Sequence, residues 1–212
     1  AYTDFAVLFR SYVAMWGEPP GLLPLDAPPV APPPLDEREY DLADYGVPRV
    51  LLCQHAEIAH MLRANLLHME TSCAVLSLDE ALPPSAQWAL WQTLLARTHA
   101  PTVYLLHDAS AEGLALPSAV FRQLALPPNV RTVAIGLRPA HARRLHLFAT
   151  RCDAAPVAQR WPAYLSQREQ AWLRAGWCAE VAAVRPARLL LALRRMLLGL
   201  VQPPLVRLPN WR

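Results

Sequence analysis

Lysine is absent from this chain: all 20 of its basic residues are arginine. Every fixed side-chain cation is therefore a planar guanidinium, able to grip a carboxylate or phosphate through two parallel bonds. Charge of either sign is scarce. Charged residues make up 17% of the chain and the formal net charge is +3, too little to argue for nucleic acid by itself. Long apolar runs are missing too, since no stretch reaches the ~18 residues that span a bilayer, and none has the pattern of a secretory leader. No glycine-rich phosphate loop occurs, neither G-x-x-x-x-G-K-[ST] nor G-x-G-x-x-G, which removes nucleotide binding of those kinds. Cysteine is limited to Cys53, Cys73, Cys152 and Cys178. No two of these stand at metal-ligand spacing, so neither a zinc knuckle nor a disulfide framework is expected. Cys53 and Cys73 fall inside apolar runs, where a thiol behaves as a small hydrophobe. The expected setting is the reducing cytoplasm, with a membrane reached only through sequence outside these residues.

What is present points to a folded α/β protein. Hydrophobic residues make up 54% of the 212, enough for one sizeable core and a small appendage. Large apolar groups at helical spacing over residues 3–16 predict an N-terminal helix, stopped by Gly17 and by Pro19-Pro20. A dense share of the 22 prolines follows, in a connector over residues 18–48 that is expected to be extended. From Arg49 the pattern becomes strand and helix in turn. Strands are predicted at 50–53, 73–78, 102–106 and 130–137. The expected helices are 55–67, one from Pro83 with Trp88, Trp91, Leu94 and Leu95 on its apolar face, one from Gly113, and one through Ala142, Leu145 and Phe148. Near-continuous apolar strands in successive β–α units imply a parallel Rossmann-like sheet of about four strands, covered on both faces. This α/β domain is expected over residues 49–155, and a C-terminal helical segment with an extended tail over 156–212. Within that segment, helices are expected at 163–176, at 178–184 as an extension or a separate piece, and at 185–201.

The organising stretch is Thr102-Val-Tyr-Leu-Leu-His-Asp-Ala-Ser-Ala-Glu-Gly113. A buried strand that delivers an acid at its carboxyl end, just before a helix, is how open α/β sheets build sites. This stretch, with Leu52-Cys-Gln54-His-Ala-Glu57 after the first strand, resembles the Toprim domain of primases, topoisomerases, topoisomerase VI A-type proteins and bacterial defence nucleases. That family carries a glutamate after its first strand and D-x-D, often D-x-D-P-x-G, after its third. Asp108 matches the first aspartate and Gly113 the glycine. Ser110 stands in place of the second aspartate, and Gln54 in place of the glutamate.

The resemblance implies a Mg²⁺ site built from Asp108, Gln54 and Ser110. Glu57, Glu112 or Asp79 would then have to replace the two missing carboxylates. Mg²⁺ needs hard oxygen ligands and a surplus of negative charge. Losing two of three acids therefore points to a degenerate, non-catalytic module that docks to other protein chains and needs no cofactor. The alternative is a Mg²⁺-dependent nuclease on DNA or RNA using Asp108 with Glu57, Asp79 or Glu112. A third reading is the cytosolic domain of a membrane-associated signalling protein. Arg138, Arg143 and Arg144, after the fourth strand, are candidate phosphate ligands on the same sheet edge. Each residue also has a plain structural role open to it. Asp108 and Ser110 can cap a helix, Glu112 can favour its dipole, Gly113 can permit close backbone approach, and the arginines can pair with neighbouring acids. The histidine spacing supports no metal cluster, and nothing is placed to activate Cys53. Trp161, Trp172, Trp177 and Trp211, with the leucine- and arginine-rich last helix, are expected to be exposed for docking.

Overall fold

Alternation along each central strand sends successive side chains to opposite faces of a sheet, and both faces here are apolar. In the computed structural model, which describes residues 10–15, 17, 46–82, 86–152 and 165–201, four strands form one parallel sheet. They are β1 (Arg49–Cys53), β2 (Cys73–Ser77), β3 (Thr102–Leu106) and β4 (Arg131–Ala134), in the order β2-β1-β3-β4. Leu51 and Cys53 of β1 face the same way as Val75, Tyr104, Leu106 and Val133. Val50 and Leu52 face the other way with Leu76, Val103 and Leu105. The first face is covered by α1 (Ala56–Ala64), α2 (Leu67–Thr71), α6 (Pro139–Arg144) and α8 (Pro186–Leu197). The second is covered by α3 (Leu78–Ala81), α4 (Ala86–Arg97) and α5 (Ala111–Gln123). The expected α/β class, with a parallel sheet between two helical layers, is what the chain forms.

Several elements depart from the sequence reading. The helix expected over 55–67 is two. The Asn65 amide bonds the Met61 carbonyl, the chain turns left-handed at Leu66, and that leucine is exposed rather than on the buried face. The helix expected through Phe148 stops at Arg144, leaving Leu145 and Phe148 exposed. Residues 178–184 are not helical. Thr150–Arg151 (β5) pairs antiparallel with Trp177–Cys178 (β6), and a single 3-10 turn follows at Val181–Ala183. Trp172 and Trp177 are half-buried, not exposed: Trp172 packs on the core, and Arg151 lies over the Trp177 ring at 5.2 Å. Between β5 and β6 comes α7 (Gln167–Arg174).

Contacts divide the chain into units 1–34 and 35–212. In the first, residues 10–15 are helical, and Gly17, whose N–H bonds the Val13 carbonyl, has the left-handed backbone common just past helix ends; Pro19-Pro20 lie outside the described residues. Most of the proline-rich connector, residues 153–164 with Trp161, and the 202–212 tail with Trp211 lie outside the described residues. In the second unit the C-terminal segment joins the core. Leu189, Leu193 and Leu197 recur every four residues along α8 and pack with Leu51 and Cys53 of β1.

The cysteines also correct the sequence reading. Cys152 and Cys178 are joined in a disulfide, while Cys53 and Cys73 are free and buried. A separation of 26 residues leaves no local mark in the sequence; the β5–β6 pairing brings the two thiols together. Disulfides persist in oxidising settings, so the cysteines no longer argue for a reducing compartment. Among the described residues no helix is long and apolar enough to cross a membrane. Closing a loop of this length stabilises the fold by about 3–4 kcal/mol. Urea unfolding with and without reductant should therefore show a lower midpoint in reductant, and a Cys152→Ser variant should be low in both and insensitive to reductant.

Candidate functional site

In the order β2-β1-β3-β4 the chain leaves β1 toward β2 on one side and returns as β3 on the other. The carboxyl ends of β1 and β3 therefore flank the switch point where open α/β sheets take ligands. Cys53 pairs with Leu106 in the ladder. The two residues that follow each strand are thus Gln54-His55 on one side and His107-Asp108 on the other.

Asp108 is buried, and each of its own polar atoms has a partner. Its Oδ2 lies 2.6 Å from His55 Nε2. Its Oδ1 accepts the Val181 backbone N–H at 2.7 Å. Its own N–H donates to Gln54 Oε1 at 2.9 Å, and its carbonyl lies 2.9 Å from His107 Nδ1. The hydrogen bond to Asp108 holds the His55 pKa above its usual 6.5; burial opposes this, and the charges of Asp108, Glu57 and Glu180 reinforce it. Burial pushes His107 the other way, so that imidazole stays neutral at physiological pH. Burial also drives the Cys53 thiol far above the cysteine range, which rules it out as a thiolate nucleophile.

Segment Ala179–Val181 closes the edge from above. Ala109 and Ala179 exchange both backbone bonds in an antiparallel bridge, at 2.9 and 3.0 Å. Two glycines make this packing feasible. A Cβ at Gly113 would overlap the Asp108 carbonyl, and one at Gly136 would overlap the His107 ring. The close approach anticipated for Gly113 is thus to the backbone of the candidate acid itself.

The other candidates fall apart from this point. Ser110 is the N-cap of α5, its hydroxyl accepting the Gly113 N–H at 2.9 Å. Glu57, Asp79 and Glu112 are exposed in the first turns of α1, α3 and α5. Among the described residues no group of three or more His, Cys, Asp or Glu side chains is placed to hold a metal ion. Arg138 does lie on the carboxyl edge, but its guanidinium forks onto Glu169, with Nε–Oε1 at 3.0 Å and Nη2–Oε2 at 2.7 Å. Arg143 and Arg144 are exposed in the last turn of α6.

Two participants were missed by sequence reasoning. His55 was legible, because it and Asp108 stand the same number of residues beyond paired strand positions. The Val181 N–H, 73 residues from its acceptor, was not, since a backbone donor leaves no signature in sequence. No protein-family model, curated protein or solved structure matches this chain.

Proposed function

We propose that the sheet domain is a Toprim-like module that does no phosphoryl transfer and serves as a docking domain within a larger protein assembly. The observation that carries this reading is the full internal use of Asp108. One carboxylate oxygen is held by His55 and the other by the Val181 N–H. A Mg²⁺-binding carboxylate must turn an oxygen to the ion, among other hard oxygens. Here Gln54 is spent on the Asp108 N–H and Ser110 on the Gly113 N–H. The remaining acids near this edge stand apart, in solvent. Support for docking comes from α8 and the residues after it, where Leu191, Leu198, Leu200 and Val201 are exposed; clustered apolar exposure of this kind marks contact surfaces.

Calorimetric titration of Mg²⁺ and Mn²⁺ into the whole chain tests the first half, with Asp108→Asn as control and cleavage assays on DNA and RNA alongside. We expect no saturable heat at millimolar metal and no cleavage. Metal binding that vanishes in Asp108→Asn would overturn the reading in favour of a nuclease. For the docking half, Leu189, Leu193 and Leu197 are unsuitable targets because they are core. A photo-crosslinking residue at Leu191 or Leu198 should instead trap a specific partner chain in the cells that make this protein.

A further inference from the structure

Beside the Asp108 cluster a cavity of about 560 Å³ opens between the carboxyl ends of β3 and β4, α6 and α8. Its size is that of small-molecule sites, which run from about 300 to 1,000 Å³. Leu106, Ile135 and Leu137 line it from the sheet edge. Its long wall is one face of α8, where Arg185, Arg188, Leu189, Ala192, Leu193 and Met196 recur at helical spacing. Residues 185 to 196 climb about 16 Å at the usual helical rise, so the cavity is a trough along the helix rather than a round hole.

The chemistry of the trough is uneven along its length. Arg185 and Arg188 stand at the N-terminal end of α8, and beyond them the wall is Ala192, Leu193 and Met196. His141 and His146 also line it, and none of the described lining residues is acidic. Arg63, Arg138 and Arg194 each pair with a glutamate. The Arg185 and Arg188 side chains have no hydrogen-bond or ion-pair partner among the described residues. Two unspent guanidinium groups at one end of an apolar trough match a ligand with one anionic end and one hydrocarbon end.

We infer that this cavity binds an unbranched acyl chain ending in an anionic head group. The carboxylate or phosphate would sit on Arg185 and Arg188, with the chain along Ala192, Leu193 and Met196. Such a ligand could arrive as a free fatty acid or from a bilayer. Leu145 lines the cavity and Phe148, a few residues on, is 79% exposed, so an apolar surface lies close by.

The test is calorimetric titration of monomeric laurate into the whole chain, with 1-dodecanol as the uncharged control. Co-sedimentation with phosphatidylglycerol vesicles supplies the bilayer arm. Laurate should bind saturably at one site. Dodecanol, Arg185→Gln and Arg188→Gln should each bind at least about tenfold more weakly, as expected for loss of a charge-assisted contact. Ala192→Trp should fill the trough and abolish binding. The two arginine changes are on exposed residues and keep the proposal testable if the tryptophan variant misfolds. Vesicle binding lost in Ala192→Trp, without binding of free laurate, supports the site and names the bilayer as the source. No binding in either arm overturns it. So does binding that ignores the head-group charge, or vesicle binding unchanged by Ala192→Trp.

Discussion

Asp108→Ala should lose about 4 kcal/mol of unfolding free energy, although the residue sits where a catalytic acid would. A hydrogen bond to a charged group is worth about 1.5–3 kcal/mol, and a buried donor left without a partner costs about 1–3 kcal/mol. The change removes the acceptor of the buried Val181 N–H and the partner of His55 together. It also empties space beneath the Ala109–Ala179 bridge, which holds the C-terminal segment on the sheet edge. Asp108→Asn should cost less, about 1–2 kcal/mol, because its amide oxygen can still accept from Val181. The loss should depend on pH. The folded pKa of His55 lies above its ordinary 6.5. Its contribution is therefore complete below that value and is lost as pH rises through the folded value. The gap between wild type and Asp108→Ala should be widest below pH 6.5 and should narrow as pH rises through the raised His55 pKa. Urea unfolding across that range decides the matter. A variant as stable as wild type would mean that the latch between β3 and Val181 contributes nothing.

Where the sequence could be read, a repeating pattern reported burial on both sides. β1 and β3 were placed within a residue, because runs such as Val50-Leu-Leu-Cys53 and Thr102-Val-Tyr-Leu-Leu106 face a helical layer on each side. The strand expected to run to Leu137 is assigned only to Ala134. The ladder nevertheless continues, since the Ile135 and Leu137 N–H groups bond the Leu105 and His107 carbonyls. Reading failed where a short contact overrode a good local pattern. Leu66 belongs to an apolar helical series, yet the Asn65 cap and a left-handed turn remove it. Residues 178–184 contain good helix formers, but Cys178 is taken by β5 and by Cys152. The position of Asp108 on the sheet's carboxyl edge was legible because it follows an apolar central strand. What holds it was only half legible: Gln54 and His55 follow a paired strand, whereas Val181 arrives from a remote turn. The cavity was missed because Arg185 and Arg188 read as part of a leucine–arginine helix, and only the fold turns them toward Leu106 and Ile135.

Arg138 draws the sharpest line between a ligand-binding and a structural role on this edge. Glu169 is 2% exposed and receives the Arg138 fork as well as the Ser166 N–H and hydroxyl, each at 2.9 Å. Burial alone would raise its pKa; the bonds from Arg138 and Ser166 outweigh it and hold the carboxyl at about 2. Removing one partner of a buried pair leaves an uncompensated charge and costs about 3–5 kcal/mol. Arg138→Met should lose that much at neutral pH. Because the folded pKa is depressed from 4.5, this stabilisation is fully present above pH 4.5 and is lost as pH falls through about 2. In the variant the carboxyl should protonate in milder acid, so the gap to wild type should close as pH falls below 4.5. Arg138→Met combined with Glu169→Leu should recover much of the loss, since an apolar pair in the same space leaves no buried charge. Thermal and urea unfolding of the three variants read this directly. Rescue by the double change would fix Arg138 as the clamp joining α6 to α7, leaving anion binding on this edge to Arg185 and Arg188. A single variant with unchanged stability would instead return the Arg138 guanidinium to the candidate ligands.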